Sequence, residues 1–143
     1  MIVVDVNLLL YAIDSSSPRH AAAHRWWTSA LAGRETIGLP WSTTLAFLRL
    51  TTNPRIYDTP LKPEQALDLV ESWTAQHHVV PVDPTPQHLP LVRTLLEATG
   101  TAGNLVTDAH LAALAIEHGA TLHSADAGFG RFPGVRWRNP LTV

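Results

Sequence analysis

What most constrains this chain is an alternation. The short apolar runs "MIVVDVN", "TIGLP", "HVVPVD", "TLHSAD" and "GVRW" are separated by longer segments with helical periodicity. Short β-branched runs bounded by turn residues read as strands buried on both faces, and helices between successive strands read as crossovers that keep their neighbours parallel. Leu8 to Ile13 predicts a short helix, and "SSSPRHAAAHRWWTSALAG" predicts a longer one with Ser17 as cap, Pro18 at its first position and Gly33 as its stop. After Pro40, the stretch Trp41 to Thr52 predicts a largely buried helix ending before Asn53-Pro54. "LKPEQALDLVESWTAQH" carries Ala66, Leu69, Val70 and Trp73 on one face, and "TPQHLPLVRTLLEATG" predicts a helix with an early proline. The expected class is α/β: a three-layer α/β/α arrangement around a short, mainly parallel sheet, as one domain spanning residues 1–143.

The helix expected from "NLVTDAHLAALAIEHGA", capped by Asn104, poses a problem. At about 100° per residue, Asp108 shares its face with Leu105, Leu111, Ala112, Ala115 and Ile116, while His110 and Glu117 mark the opposite, solvent side. An unpaired carboxylate on a buried face costs several kcal/mol unless it meets a partner or becomes neutral. Two other acids offer a meeting place. Asp5 and Asp126 both follow strands, and sites in open parallel sheets form beyond the carboxyl ends of the strands. Three converging carboxylates with oxygen-only donors suit a hard divalent cation, Mg²⁺ or Mn²⁺, with Asn7 and Ser124 placed to hydrogen-bond around it.

Composition narrows the chemistry. Only 15% of residues are charged and the net charge is -2, so no polybasic tail is present and any anion must be met by a local patch. There is no cysteine, which excludes disulfides, Cys-ligated zinc and thiol catalysis. His20 and His24 in "HAAAH" lie one turn apart but lack the glutamate of a zinc-protease motif, so a packing role is expected. Without a signal peptide or a long apolar span, the expected location is cytoplasmic.

The ordered set "VVDVNLLLYA", "FLRLTTNPR", "GNLVTDAHLAALAIEHGA" and "LHSADAGFGRFPGVRWRNPL" resembles the PIN-domain ribonucleases, and closely the VapC toxins of prokaryotic type II toxin–antitoxin pairs. The resemblance covers nearly the whole chain. It implies a PIN-like fold, Asp5, Asp108 and Asp126 as catalytic metal ligands for Mg²⁺ or Mn²⁺, and hydrolysis of single-stranded regions of RNA such as tRNA or rRNA loops. It further implies a homodimer neutralised by a small VapB-like antitoxin.

Two positions depart from the common pattern. Many PIN domains carry a further Glu on the helix that here reads "WSTTLAFLRL", where Phe47 or a neighbour takes its place; a second acid often follows Asp126, where "ADAGF" offers Gly128. The expectation is therefore one ion held firmly and a second held weakly, or only with the RNA phosphate supplying ligands, with Thr43 and Thr44 as candidates to orient water in place of the missing acid. Arg49, Arg55 and Arg131, with Arg136 and Arg138 further along, are candidate phosphate contacts, and Trp41, Phe129 and Trp137 candidate base-stacking surfaces. The alternatives are a PIN-fold binding module without cleavage activity, and a metal-dependent phosphatase using Asp5 as nucleophile.

Overall fold

The computed structural model describes residues 1–142. Five strands, β1 (Ile2–Val4), β2 (Ile37–Leu39), β3 (Val79–Pro81), β4 (Thr121–His123) and β5 (Trp137–Arg138), form one sheet in the order β3-β2-β1-β4-β5. Every neighbouring pair is parallel. Six helices lie between them: α1 (Val6–Ile13) and α2 (His20–Ala32), α3 (Trp41–Thr51) and α4 (Pro63–Thr74), then α5 (His88–Thr99) and α6 (Leu105–Glu117). The chain is thus the expected three-layer α/β/α fold.

Strand pleating explains the layers. Ile2 and Val4 point into a core with Leu9, Trp27, Phe47 and Trp73, whereas Val3 points into a second core with Leu95, Leu111, Leu122 and Phe129. In the first core Trp73 meets Trp27 and Phe47 edge-on at centroid distances of 5.4 and 4.9 Å. Gly38 in β2 is there because of close approach: a Cβ would stand 2.4 Å from Cγ2 of Val82.

The order of the strands positions the site. From β1 the chain steps outward through β2 to β3, then returns to lay β4 against the free side of β1. The direction of winding therefore reverses between β1 and β4, and a crevice opens at the carboxyl ends of those two strands.

α1 begins two residues before the expected Leu8, and two caps expected from the sequence make no capping bond. α2 begins at His20, with Arg19 before it and no side-chain cap. Ser17 instead belongs to the turn that closes α1: its N–H donates to Asp14 O at 3.0 Å and its hydroxyl accepts from Arg19 N at 3.1 Å. Asn104 makes no capping bond either, because its backbone is already helical. The first N–H groups of α6 are met by the carbonyls of Ala102 and Gly103.

Candidate active site

β1 runs into α1 with no intervening loop, so Asp5 is both the residue beyond a strand and the cap of a helix. Its Oδ1 accepts from Val6 N at 2.7 Å and its Oδ2 from the Ser124 hydroxyl at 2.7 Å, which fixes the carboxylate in a nearly buried setting, 9% exposed. Ser124, fully buried just past β4, is the hub of the crevice. Besides donating to Asp5, its hydroxyl oxygen accepts from Asn7 Nδ2 at 3.1 Å and from Asp126 N at 3.0 Å. Asn7 Oδ1 in turn accepts from Ala125 N at 3.3 Å.

Asp126 stands three residues beyond β4, exposed, and caps a 3-10 turn (Ala127–Arg131) by accepting from Gly128 N at 2.8 Å. Asp108 arrives from the other direction. Because α6 leads into β4, its first turn lies at the carboxyl end of the sheet, and Asp108 on that turn is half-buried.

The neighbouring charges bear on Asp5 and Asp108. Burial raises the Asp5 carboxyl above its ordinary value and the charge on Asp126 adds to that, against the hydrogen bonds from Ser124 and Val6. Burial likewise raises Asp108, followed by the charges on Asp5 and Asp126, while Arg131 pulls it back. Asp108 thus lies within range of the charges on the other two acids. Among the described residues, however, no three acidic or imidazole side chains are already drawn around one point that could hold an ion. The donors fit a hard divalent cation by chemistry, all oxygen and mutually repelling, and such an ion would have to gather them.

Other expected contributors are dispersed. Phe129 is in the core and offers no stacking face. Trp137 is half-buried, with its indole N–H donated to Ser124 O at 3.0 Å, whereas Trp41 is 59% exposed at the start of α3. The Thr43 hydroxyl donates to Val4 O at 2.8 Å, tying α3 to β1, so its proton is not free to orient water; Thr44 is buried beside it. Arg49 lies in the last turn of α3 and Arg55 in the loop after it. That end of α3 meets the end of α1 at a cleft of about 620 Å³ lined by Asp14, Tyr57 and Asp58; none of Asp5, Asp108 or Asp126 lines it. Arg136 donates to Gly119 O before β4, while Arg138 is exposed on β5 beside His123. Of the arginines, Arg131 is the one that acts on Asp108.

The supposed solvent side of α6 is also occupied. The Glu117 side chain is only 1% exposed: its Oε1 accepts from Thr85 N and Oγ1 at 2.8 and 2.6 Å, and its Oε2 meets His88 Nδ1. His88 Nε2 then lies 2.8 Å from His110 Nδ1. This Glu-His-His chain joins α5 to α6. Residues this far apart in sequence gave no periodic signal.

The PIN domain family model matches residues 2–135, which takes in all three acids, Asn7 and Ser124. The chain belongs to the PIN-domain family. Within it, the similarity is to VapC proteins. Ribonuclease VapC37 of Mycobacterium tuberculosis is 45% identical over 140 residues, covering 98% of this chain and 97% of the relative. Ribonuclease VapC33 from the same species is 40% identical over 141 residues, covering 99% of each. Among solved structures, VapBC-1 from nontypeable Haemophilus influenzae matches this PIN domain with a TM-score of 0.69 at 19% identity, covering 99% of this chain and 100% of the other. VapBC2 from Rickettsia felis, bound to a DNA fragment from its promoter, matches with a TM-score of 0.68 at 20% identity, covering 97% and 98%. These two establish the likeness of fold.

Proposed function

We propose that this PIN domain is the toxin of a toxin–antitoxin pair, an endoribonuclease that hydrolyses phosphodiester bonds in single-stranded regions of RNA. The observation that carries the reading is that Asp5, Asp108 and Asp126 lie together at one topological switch point, with Asp5 and the Asp126 backbone tied to Ser124 and Asn7. The identity to proteins named as VapC ribonucleases along the full chain supports it.

Asp5, Asp108 and Asp126 are the residues that would hold a divalent cation, Mg²⁺ or Mn²⁺; when bound it supplies charge neutralisation at the phosphate and acidifies water. Asp5 is held rigid by its two hydrogen bonds, so it can serve as the fixed point of the set. Asp126 Oδ1 is taken by Gly128 N–H, which leaves Oδ2 to receive a proton from the attacking water. In-line attack by the water breaks the P–O3′ bond, and the leaving oxygen takes a proton from solvent, giving a 5′-phosphate and a 3′-hydroxyl.

The partner is a VapB-like antitoxin whose cationic side chain enters the acidic crevice, consistent with solved neighbours that are VapBC complexes. A homodimer in the cytoplasm completes the proposal, and no helix of the described residues is long and apolar enough to cross a membrane. The rival reading, a binding module, draws on α3: Phe47 is buried in the core where the resemblance expects an acid.

The deciding experiment is cleavage of total cellular RNA by the antitoxin-free protein with Mg²⁺ or Mn²⁺, beside Asp108→Asn, with product ends mapped. Cutting at defined sites that leaves 5′-phosphates and is lost in the variant is expected. A 2′,3′-cyclic phosphate would refute the mechanism. RNA that is bound but never cut at any cation concentration would establish the binding module.

A further inference from the structure

The turn after Asp126 carries a cation whose seat is built into the backbone. Arg131 closes the 3-10 turn by donating from Nε to Gly128 O at 2.7 Å. That bond lays the guanidinium across the α-carbon of Gly128: a Cβ there would stand 2.3 Å from Nη2 of Arg131 and 2.9 Å from Oδ1 of Asp126. Gly128 has no left-handed backbone, so what an added side chain would meet is the Arg131 guanidinium and the Asp126 carboxylate. The space is filled by Arg131.

Three further observations bear on what this cation does. Arg131 forms no ion pair within 4.0 Å among the described residues, so its Nη groups are not committed to a carboxylate. It is exposed, on the same turn that Asp126 caps. Its guanidinium also lies beside the Asp126 carboxylate, since the Cβ position at Gly128 that is 2.3 Å from Nη2 is 2.9 Å from Asp126 Oδ1. A guanidinium held by its Nε, with both Nη groups free and set beside an acidic site, is arranged for an anion that must approach those acids.

We propose that Arg131 is a phosphate clamp of the carboxylate site, its guanidinium positioned over Gly128 to bind a backbone phosphate of the RNA strand lying across Asp5, Asp108 and Asp126. The inference rests on the ribonuclease reading and deepens it. Arg131 offsets the repulsion that an RNA phosphate meets at three acids, and Gly128 is the residue that lets the guanidinium reach that place. Arg49, in the last turn of α3, and Arg55, in the loop after it, are not on the turn that Asp126 caps.

The test is equilibrium binding of a fluorescein-labelled, mixed-sequence single-stranded RNA of about 20 nucleotides, in EDTA, across a range of KCl concentrations, with cleavage measured separately with Mn²⁺. Arg131→Ala is expected to weaken binding several-fold and to reduce the slope of log affinity against log salt by about 0.7, the share of one phosphate contact on a single strand. Arg131→Lys should keep the slope and recover part of the affinity. Gly128→Ala, which leaves every charge in place, should reproduce the loss because its Cβ expels the guanidinium, and it should add little in the Arg131→Ala background. If Gly128→Ala acted only by moving Asp126, binding of an anion would hold or improve, which would overturn the proposal. Wild-type protein that binds and cuts RNA while Arg131→Ala binds with the same affinity and slope would sink the clamp alone. Wild-type protein that neither binds nor cuts would remove the ribonuclease reading and the clamp with it.

Discussion

A carboxylate such as Asp108 is placed for binding at the expense of stability. Its folded pKa is raised by burial and by Asp5 and Asp126, so the contribution of its folded environment is fully present below the unfolded pKa and is lost as pH rises through the folded value. At neutral pH the ionised group therefore works against the fold. Asp108→Asn is expected to raise Tm in EDTA at pH 7 by a few degrees, with the two proteins converging as pH falls below about 4, where both side chains are neutral. Thermal unfolding from pH 3.5 to 8 checks this; a gain of equal size at every pH would show that the variant acts through packing. Mn²⁺ should raise the Tm of the wild type by mass action and leave that of Asp108→Asn nearly unchanged. Asp5 differs because its oxygens cap α1 and accept from Ser124, so its removal costs fold as well as charge.

At the scale of elements, the Glu117-His88-His110 chain fastens the start of α5 to α6, the helix that carries Asp108. Burial raises the Glu117 carboxyl, but the hydrogen bonds from Thr85 and His88 outweigh it and hold the group below its ordinary value. For such an acid the stabilisation is present above the unfolded pKa and is lost as pH falls through the folded one. His110 adds to the same trend, since burial and then the neighbouring His88 lower its pKa and protonation opposes folding as pH drops. Glu117→Gln should cost about 2 kcal/mol at pH 7, the range for a charge-assisted bond, and the deficit should shrink below about pH 4. Urea denaturation at both pH values reads it, and a loss under about 0.5 kcal/mol at pH 7 would mean that Thr85 alone satisfies the site. This clasp marks the limit of reading by periodicity. Local pattern located all five strands and six α-helices here, though not the 3-10 turn that Asp126 caps, because buried three-residue strands and amphipathic crossovers leave period signals in a single segment. It put Asp5, Asp108 and Asp126 at the right end of the sheet for the same reason. It assigned Glu117 to solvent because a helical wheel cannot see a helix that packs back from residue 88, and it offered Phe129 for stacking because an aromatic in a turn looks the same whether or not the turn folds inward.

For the molecule as a whole, the site is closed by the two ends of the chain. Asp5 and Ser124 are 119 positions apart in sequence, and the bond between them exists only because the chain returns from β3 to lay β4 on β1. β5, beyond the family match at residue 135, backs that arrangement from the sheet's edge: Ser124 N donates to Arg138 O at 3.1 Å and the Trp137 indole donates to Ser124 O at 3.0 Å. The final strand therefore holds the backbone of the one residue whose hydroxyl serves Asp5, Asn7 and Asp126 together. Trp137→Phe keeps most of the apolar surface and removes the N–H, so its global cost should be modest, about 1 kcal/mol. Its effect on the site should be larger in proportion, because the Ser124 hydroxyl bridges three partners and a small shift misplaces all of them. The expected result is a Mn²⁺ affinity, read by calorimetry, that falls by about tenfold, in the range for lost supporting contacts around a metal. Equal Mn²⁺ affinity in wild type and Trp137→Phe, with the stability loss present, would confine β5 to edge protection and leave Ser124 held by its side-chain bonds alone.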